Sequence, residues 1–260
     1  MKCISSKVID GYQEFARQVI QGATSTKWDD VIFQMATENV HVGRNLNPGE
    51  CWVRARKHTP DEMEPFIKLE NIGMNRNNPK QGRCNEDGES LLYICKSRDS
   101  ALAEISAKEE DIVSVGHFII RKTQKVVDLT DAIWNSNRKK YGTYNSNEAR
   151  HFLLLLVQNY FKAQNDKNIY RITNHISKML KAADVDGIKY CSTHWKDNRA
   201  WVNVALVSQK DVEWRYTDQW QIIKTDTWCH NYDCKRLTRI KLNDTNNDIL
   251  SSNPTPNVVF

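Results

Sequence analysis

Residues 82–105 read GRCNEDGESLLYICKSRDSALAEI, and the order of elements in this stretch decides the fold. Gly82, Asn85, Asp87 and Gly88 are turn formers, so the stretch opens as a loop. The apolar run Leu91 to Cys95 follows and reads as a strand. Asp99 is a good helix cap, and Ser100 to Ala107 then read as a short helix. On that reading Glu104 falls one turn into the helix. A carboxylate there has an ordinary explanation, because the helix macrodipole favours acids near an N-terminus. It also has a functional one: Ala101 and Ala103 beside it are small, so a ligand or a second backbone can approach closely.

Outward from this stretch, strand patterns recur. CWVRARK from Cys51 alternates polar and apolar residues. IVSVGHFII (112–120), KVVDL (125–129), GIKYC (187–191) and WVNVALV (201–207) are β-branched or aromatic runs with turn-like flanks. Helices lie around them. Tyr12, Phe15, Ala16, Val19 and Ile20 have helical spacing within residues 10–22. Residues 148–163 are apolar almost all round and predict a central, buried helix. Ile172, Ile176, Met179, Leu180 and Ala183 form one face within 169–183, and Gly187 lets the chain turn into the next strand. Residues 24–50 are mixed. Residues 57–81 are long, polar and rich in Asn, a connection long enough to cover something. Trp195, Trp201, Trp214, Trp220 and Trp228 predict packing at a sheet edge, with a stacking surface as the sharper alternative. The polar tail from 243 predicts poor order or docking on a partner. Helices do not alternate strictly with strands, which argues for an α+β domain with a mixed central sheet and flanking helices over a doubly wound parallel sheet. The expected organisation is a helical extension over 1–50, a central domain over 51–208, and a Trp-rich extension with a polar tail over 209–260.

Bulk composition narrows the function. The 260 residues are long enough to bury a real core. The net charge of +5 can attract an anionic small molecule but is too weak to argue for direct nucleic-acid binding. No stretch has the length of a membrane span; the most apolar run is FLLLLV at 152–157. The N-terminus lacks a signal-peptide core. The seven cysteines have no framework spacing, so reduced thiols in the cytoplasm are expected. CHNYDC brings Cys229, His230 and Cys234 together, but a zinc site wants four ligands in paired spacing, and thiols without metal are the better reading. No G-x-G-x-x-G and no P-loop occurs.

Several further residues can carry chemistry. Arg54 in its strand reads as a solvated residue, as half of an ion pair, or as a fork aimed at a phosphate. Tyr93 reads first as a core aromatic. Ser192 ends a strand and reads as a cap or as a group that orients a neighbour; His194 beside it says little about a triad.

Taken in order, WVRAR, the 82–105 stretch, VVDLTD, DGIKYCST and Asn203 in VNVALV closely resemble the RES domain family, over about residues 51 to 208. The resemblance implies a fold like that of ADP-ribosyltransferases and an activity on NAD+. It implies a toxin restrained by an antitoxin, expected to carry a helix-turn-helix domain. Some members degrade NAD by hydrolysis or phosphorolysis, and others attach ADP-ribose to a protein. The family's arginine, tyrosine, glutamate and serine fall on Arg54, Tyr93, Glu104 and Ser192. Arg56 competes with Arg54 for the arginine role. Arg83 and Asn85 fall in the loop motif and Asn203 on the last strand, as pocket residues. The expected catalytic set is therefore Glu104, Arg54 and Ser192, with Tyr93, Arg56, Arg83, Asn85 and Asn203 binding substrate. No metal is expected. The implied reaction is cleavage of the nicotinamide–ribose bond; a protein ADP-ribosyltransferase and a catalytically silent binding module of the same fold are the alternatives.

Overall fold

The structure is a computed structural model, and it describes residues 4–40, 45–62, 64–66, 68–76, 79–130, 140–141, 143–161, 167–194, 201–226, 231–241 and 250–251. Its elements in chain order are α1 (Ser6–Ile20), α2 (Asp29–Val40), β1 (Cys51–Lys57), α3 (Leu69–Ile72), β2 (Leu92–Cys95), α4 (Arg98–Glu104), β3 (Ile112–Ile120), β4 (Val126–Asp128), β5 (Lys140–Tyr141), β6 (Tyr144–Asn145), α5 (Ser146–Leu156), α6 (Lys167–Lys181), β7 (Gly187–Cys191), β8 (Val202–Leu206), β9 (Val212–Asp226), β10 (Asn231–Lys241) and β11 (Leu250–Ser251). A π-helical turn, Val157–Phe161, continues α5.

Among the described residues, nine strands form one sheet in the order β11-β10-β9-β3-β1-β2-β8-β7-β4. Every neighbouring pair is antiparallel except β4 with β7. The fold is thus a mixed α+β domain, as its irregular alternation of elements predicts. The sheet order places β1, β2 and β8 side by side in the middle, which brings Arg54, Tyr93 and Asn203 onto adjacent strands. The sheet runs without a break across residue 208, because β9 pairs with β3 from Val212 to Gln221.

Packing follows the alternation of side chains along each strand. The largest core lies under the helices, where Phe15, Trp28, Ile32, Phe152, Ile172, Ile176 and Leu180 meet Val127, Ile188 and Tyr190. A second core on Trp52, Leu92, Ile94, Phe118, Ile120 and Val204 includes Ile72 of α3. That helix and the loop around it are what the long 57–81 connection supplies. A third core joins Val53, Ala55, Cys95, Val113, Val115 and Ile222 to α4.

Several boundaries differ from the sequence reading. α2 occupies a stretch that reads as mixed, and buries Val31, Ile32, Met35 and Ala36. The Trp-rich region is a long hairpin, β9–β10, on which Trp214 and Trp220 pack against two of the cores. The turn into β7 is made by Asp184 at φ 55, not by Gly187. Gly187 has another reason: a Cβ there would lie 2.6 Å from the Ala205 carbonyl oxygen. Trp195, Trp228, Cys229 and His230 lie outside the described residues, as does the tail beyond 241 apart from β11. Cys51, Cys84, Cys95, Cys191 and Cys234 are free thiols.

Candidate active site

The site begins where the sheet splits. β1 pairs with β3 along its whole length, yet meets β2 at one position only, Val53 opposite Cys95. Arg54 reaches across that split, its Nη1 donating to the Tyr93 carbonyl oxygen at 3.0 Å. Its Nε is buried and has no partner among the described residues. Burial, helped by the positive charge of Arg56, pushes the Arg54 pKa down to about 10. The group is still cationic at neutral pH, and its desolvated charge would be stabilised by an arriving anion.

A cavity of about 260 Å³ opens here, lined among others by Arg54, Arg83, Tyr93, Glu104, Tyr170 and Tyr190. Ala101, Ile105, Cys95 and Asn203 complete the wall near Glu104. The small side chain of Ala101 leaves that space open.

Glu104 is exposed, and it sits at the last residue of α4. The helix is capped by Ser97, whose hydroxyl accepts from the Ser100 N–H at 3.2 Å, and not by Asp99. It ends early, with Ser106 in the left-handed region at φ 49. The reading of Glu104 as a first-turn acid is therefore corrected. The carboxylate stands at the negative end of the helix, where the macrodipole opposes it. Two neutral donors hold it there. The Ser192 hydroxyl donates to Oε1 at 2.5 Å, and the Asn203 amide donates to the same oxygen at 2.7 Å. Both donors are themselves oriented. The His194 N–H donates to Ser192 Oγ at 3.1 Å, which directs the serine hydrogen towards Glu104. Ser100 Oγ donates to Asn203 Oδ1 at 3.4 Å, which fixes the amide with its NH₂ towards the carboxylate. Glu104 makes no ion pair among the described residues, so its charge is uncompensated.

The loop before β2 is built to a tight tolerance. Asn85 is buried; its amide donates to the carbonyl oxygens of Lys80, Glu86 and Glu89 at 2.9, 2.9 and 2.8 Å. Its Oδ1 accepts from the Tyr93 hydroxyl at 2.6 Å, and that hydroxyl accepts from the Cys84 N–H at 3.0 Å. Gly82 packs against this knot: a Cβ there would lie 2.6 Å from Asn85 Oδ1 and 2.8 Å from the Tyr93 hydroxyl. Arg83 is buried and donates to the Tyr160 carbonyl oxygen at 2.7 Å.

The structure brings Arg54, Arg83, Tyr93, Glu104 and Asn203 to one cavity, with Ser192 attached through Glu104. Asn85 and Arg56 are not among the cavity's lining residues. Asn85 holds the loop and the Tyr93 hydroxyl. Burial lowers the Arg56 pKa, and Glu62 works against that shift. Tyr170 and Tyr190 are pocket residues that sequence reasoning missed. Tyr190 carried a signal, since it lies two residues before Ser192 and so shares its face of the strand. Tyr170, on α6, carried none. Burial pushes the Cys95 thiol well up and the phenols of Tyr93 and Tyr190 well above their ordinary value, so none of the three supplies an anion at neutral pH. Among the described residues no group of three or more His, Cys, Asp or Glu is placed to hold a metal ion. No described helix is long and apolar enough to cross a membrane.

The cavity thus gathers a carboxylate with no ion pair among the described residues, two guanidiniums and a wall of tyrosines. The RES domain family matches residues 52–226, and the chain belongs to that family. No curated protein matches it. Among solved structures, the chain is similar to one in the crystal structure of the M. tuberculosis MbcT–MbcA toxin–antitoxin complex, with a TM-score of 0.42, 10% sequence identity, and coverage of 72% of this chain and 92% of that one. That likeness is distant, and the family match carries the assignment.

Proposed function

We propose that the protein is an NAD+-cleaving toxin that breaks the nicotinamide–ribose bond, depletes NAD+ in the cytoplasm and is restrained by an antitoxin with a helix-turn-helix domain. The observation that carries this reading is the pair of oriented donors, Ser192 and Asn203, on one oxygen of Glu104. They fix the carboxylate without neutralising it.

The chemistry needs little more. Nicotinamide is cationic while attached to ribose and leaves as a neutral molecule. The C1′–N bond breaks, and its electron pair goes to the departing nitrogen. No general acid is required, unlike ordinary glycoside cleavage with its two carboxylates. Positive charge builds on the ribose ring, and a preplaced Glu104 anion stabilises it. Its second oxygen, with no partner among the described residues, is available to a ribose hydroxyl. Arg54 grips the pyrophosphate, for which a guanidinium fork is better suited than an ammonium. Tyr93 walls the nicotinamide end, and Tyr170 and Tyr190 line the same space. Water or phosphate then bonds to C1′ from the opposite side, and water gives up its proton to solvent.

The test is incubation of the pure protein with NAD+, with and without phosphate, following nicotinamide release. Turnover without any protein acceptor supports cleavage, and acceleration by phosphate identifies phosphorolysis. ADP-ribose appearing on protein in proportion to nicotinamide would instead make the protein an ADP-ribosyltransferase. No nicotinamide release under any of these conditions would leave a binding module of the same fold.

A further inference from the structure

A second cavity, of about 580 Å³, lies away from Glu104, between the C-terminal end of α1, the loop before β2 and one face of α6. Its α6 wall is Arg171, Asn174, His175 and Lys178, the spacing of a single helical face. Asn174 is only 5% exposed, yet neither its amide nitrogen nor its amide oxygen has a hydrogen-bond partner among the described residues. A buried amide with both ends unpaired is costly, and it calls for a group that the folded chain does not provide. Its neighbours along the helix are exposed cations. Arg171 spends one donor on the Ile20 carbonyl oxygen at 3.1 Å, and the Lys178 side chain makes no ion pair or hydrogen bond among the described residues. The opposite wall carries Gln81, Glu86 and Asp87. His175 is already committed, with Nε2 2.9 Å from the Asp29 carboxylate.

We propose that this cavity is a second ligand site, for a nucleoside monophosphate. Each part of that ligand has a counterpart. An adjacent donor and acceptor, such as a base edge presents, satisfy both ends of the Asn174 amide, the pairing by which Asn reads a base. A phosphate group is matched by the Arg171 and Lys178 charges on either side. Ribose hydroxyls can donate to Glu86 and Asp87. The volume falls in the range of small-molecule sites and is far larger than a simple anion needs. The site stands apart from the NAD+ reading, since none of its lining residues lines the first cavity.

The test is calorimetric titration of the full chain with AMP, GMP, CMP and UMP, each against its nucleoside. At least one nucleotide is expected to bind with a single site and a Kd below 1 mM, at least tenfold tighter than its nucleoside, about what one charge-assisted contact provides. Lys178→Ala is expected to weaken it at least fivefold and Asn174→Leu to abolish it, while Arg54→Ala leaves it unchanged. Because Leu removes an unpaired buried amide, Asn174→Leu is also expected to raise the Tm of the free protein. The proposal is overturned if no nucleotide binds, if binding survives both α6 substitutions, or if Arg54→Ala abolishes it. It is equally overturned if Asn174→Leu lowers the Tm, which would mean that ordered water already satisfies the amide.

Discussion

The protein treats two of its carboxylates, Asp218 and Glu104, in opposite ways. Asp218 on β9 is 1% exposed and is gripped by Arg239, with Nε at 2.6 Å and Nη2 at 2.8 Å from its two oxygens. His117 lies 3.2 Å away and stacks on Tyr216, and the Arg239 guanidinium lies over the same Tyr216 ring. Burial alone would raise the Asp218 pKa, but the hydrogen bonds from Arg239, with His117 close by, outweigh it and hold the carboxyl below its ordinary value. Glu104 is exposed, receives only neutral donors among the described residues, and leaves Arg54 bonded to a backbone carbonyl. The first pair spends its charge on joining β10 to β9. The second pair is not joined: Glu104 and Arg54 line one cavity without an ion pair between them. A buried pair that is fully satisfied contributes to structure, whereas an unspent charge held by oriented dipoles is what catalysis uses.

Substitution should separate the two roles. Glu104→Gln is expected to lower the rate of nicotinamide release about 100- to 1000-fold, the usual cost of removing a preorganised charged group. Its Tm should stay close to that of the parent protein, because no ion pair is lost. Asp218→Asn should do the reverse: a loss of about 3 kcal/mol of stability, read by denaturant unfolding, with the rate retained at low temperature. Equal loss of activity in both variants would erase the contrast.

Acid titration sharpens the same comparison. Asp218 has a depressed folded-state pKa. Its contribution to stability is therefore fully present above the ordinary Asp value of about 4 and is lost as pH falls through the lower folded value. The stability gap between the parent protein and Asp218→Asn should be widest at neutral pH and close progressively below about pH 4. A gap constant down to pH 2 would show that the Arg239 contact carries no net charge effect.

The donors to Glu104 come next in size. Ser192→Ala and Asn203→Ala should each slow the reaction about tenfold or somewhat more, as expected for a hydrogen bond to a charged group. Smallest is Tyr93→Phe. It strips the Cys84 N–H of its acceptor and Asn85 Oδ1 of its donor, and should cost about 1 to 2 kcal/mol of stability. Retention of full stability would mean that the loop is held by the Asn85 amide alone.

The sheet strands that build the site were legible because they are short apolar, β-branched or aromatic runs bounded by turn residues. β3 and β7 have the boundaries that their apolar runs predict. The β9–β10 hairpin was not legible: register shifts at Asp233/Cys234 and Arg236/Thr238 break its alternation. α2 was hidden for a related reason. Phe33 is 38% exposed next to buried Ile32, so the apolar residues do not keep to one face. Within the site, the arginine, tyrosine, glutamate, serine and asparagine were named by motif order, and the structure gathers them at one place. The end of α4 on which Glu104 sits turned on which of two nearby residues caps the helix, and sequence does not resolve such a shift. Tyr170 arrives from a helix that no local pattern connects to the cleft.

The most direct measurement is a crystal structure of the Glu104→Gln protein soaked with NAD+, in which chemistry is slowed enough for the substrate to persist. The account predicts the pyrophosphate on the Arg54 guanidinium, with its Nε satisfied, and the ribose C1′ facing position 104. NAD+ bound with its pyrophosphate away from Arg54, or with the nicotinamide–ribose bond pointing out of the cleft, would contradict it.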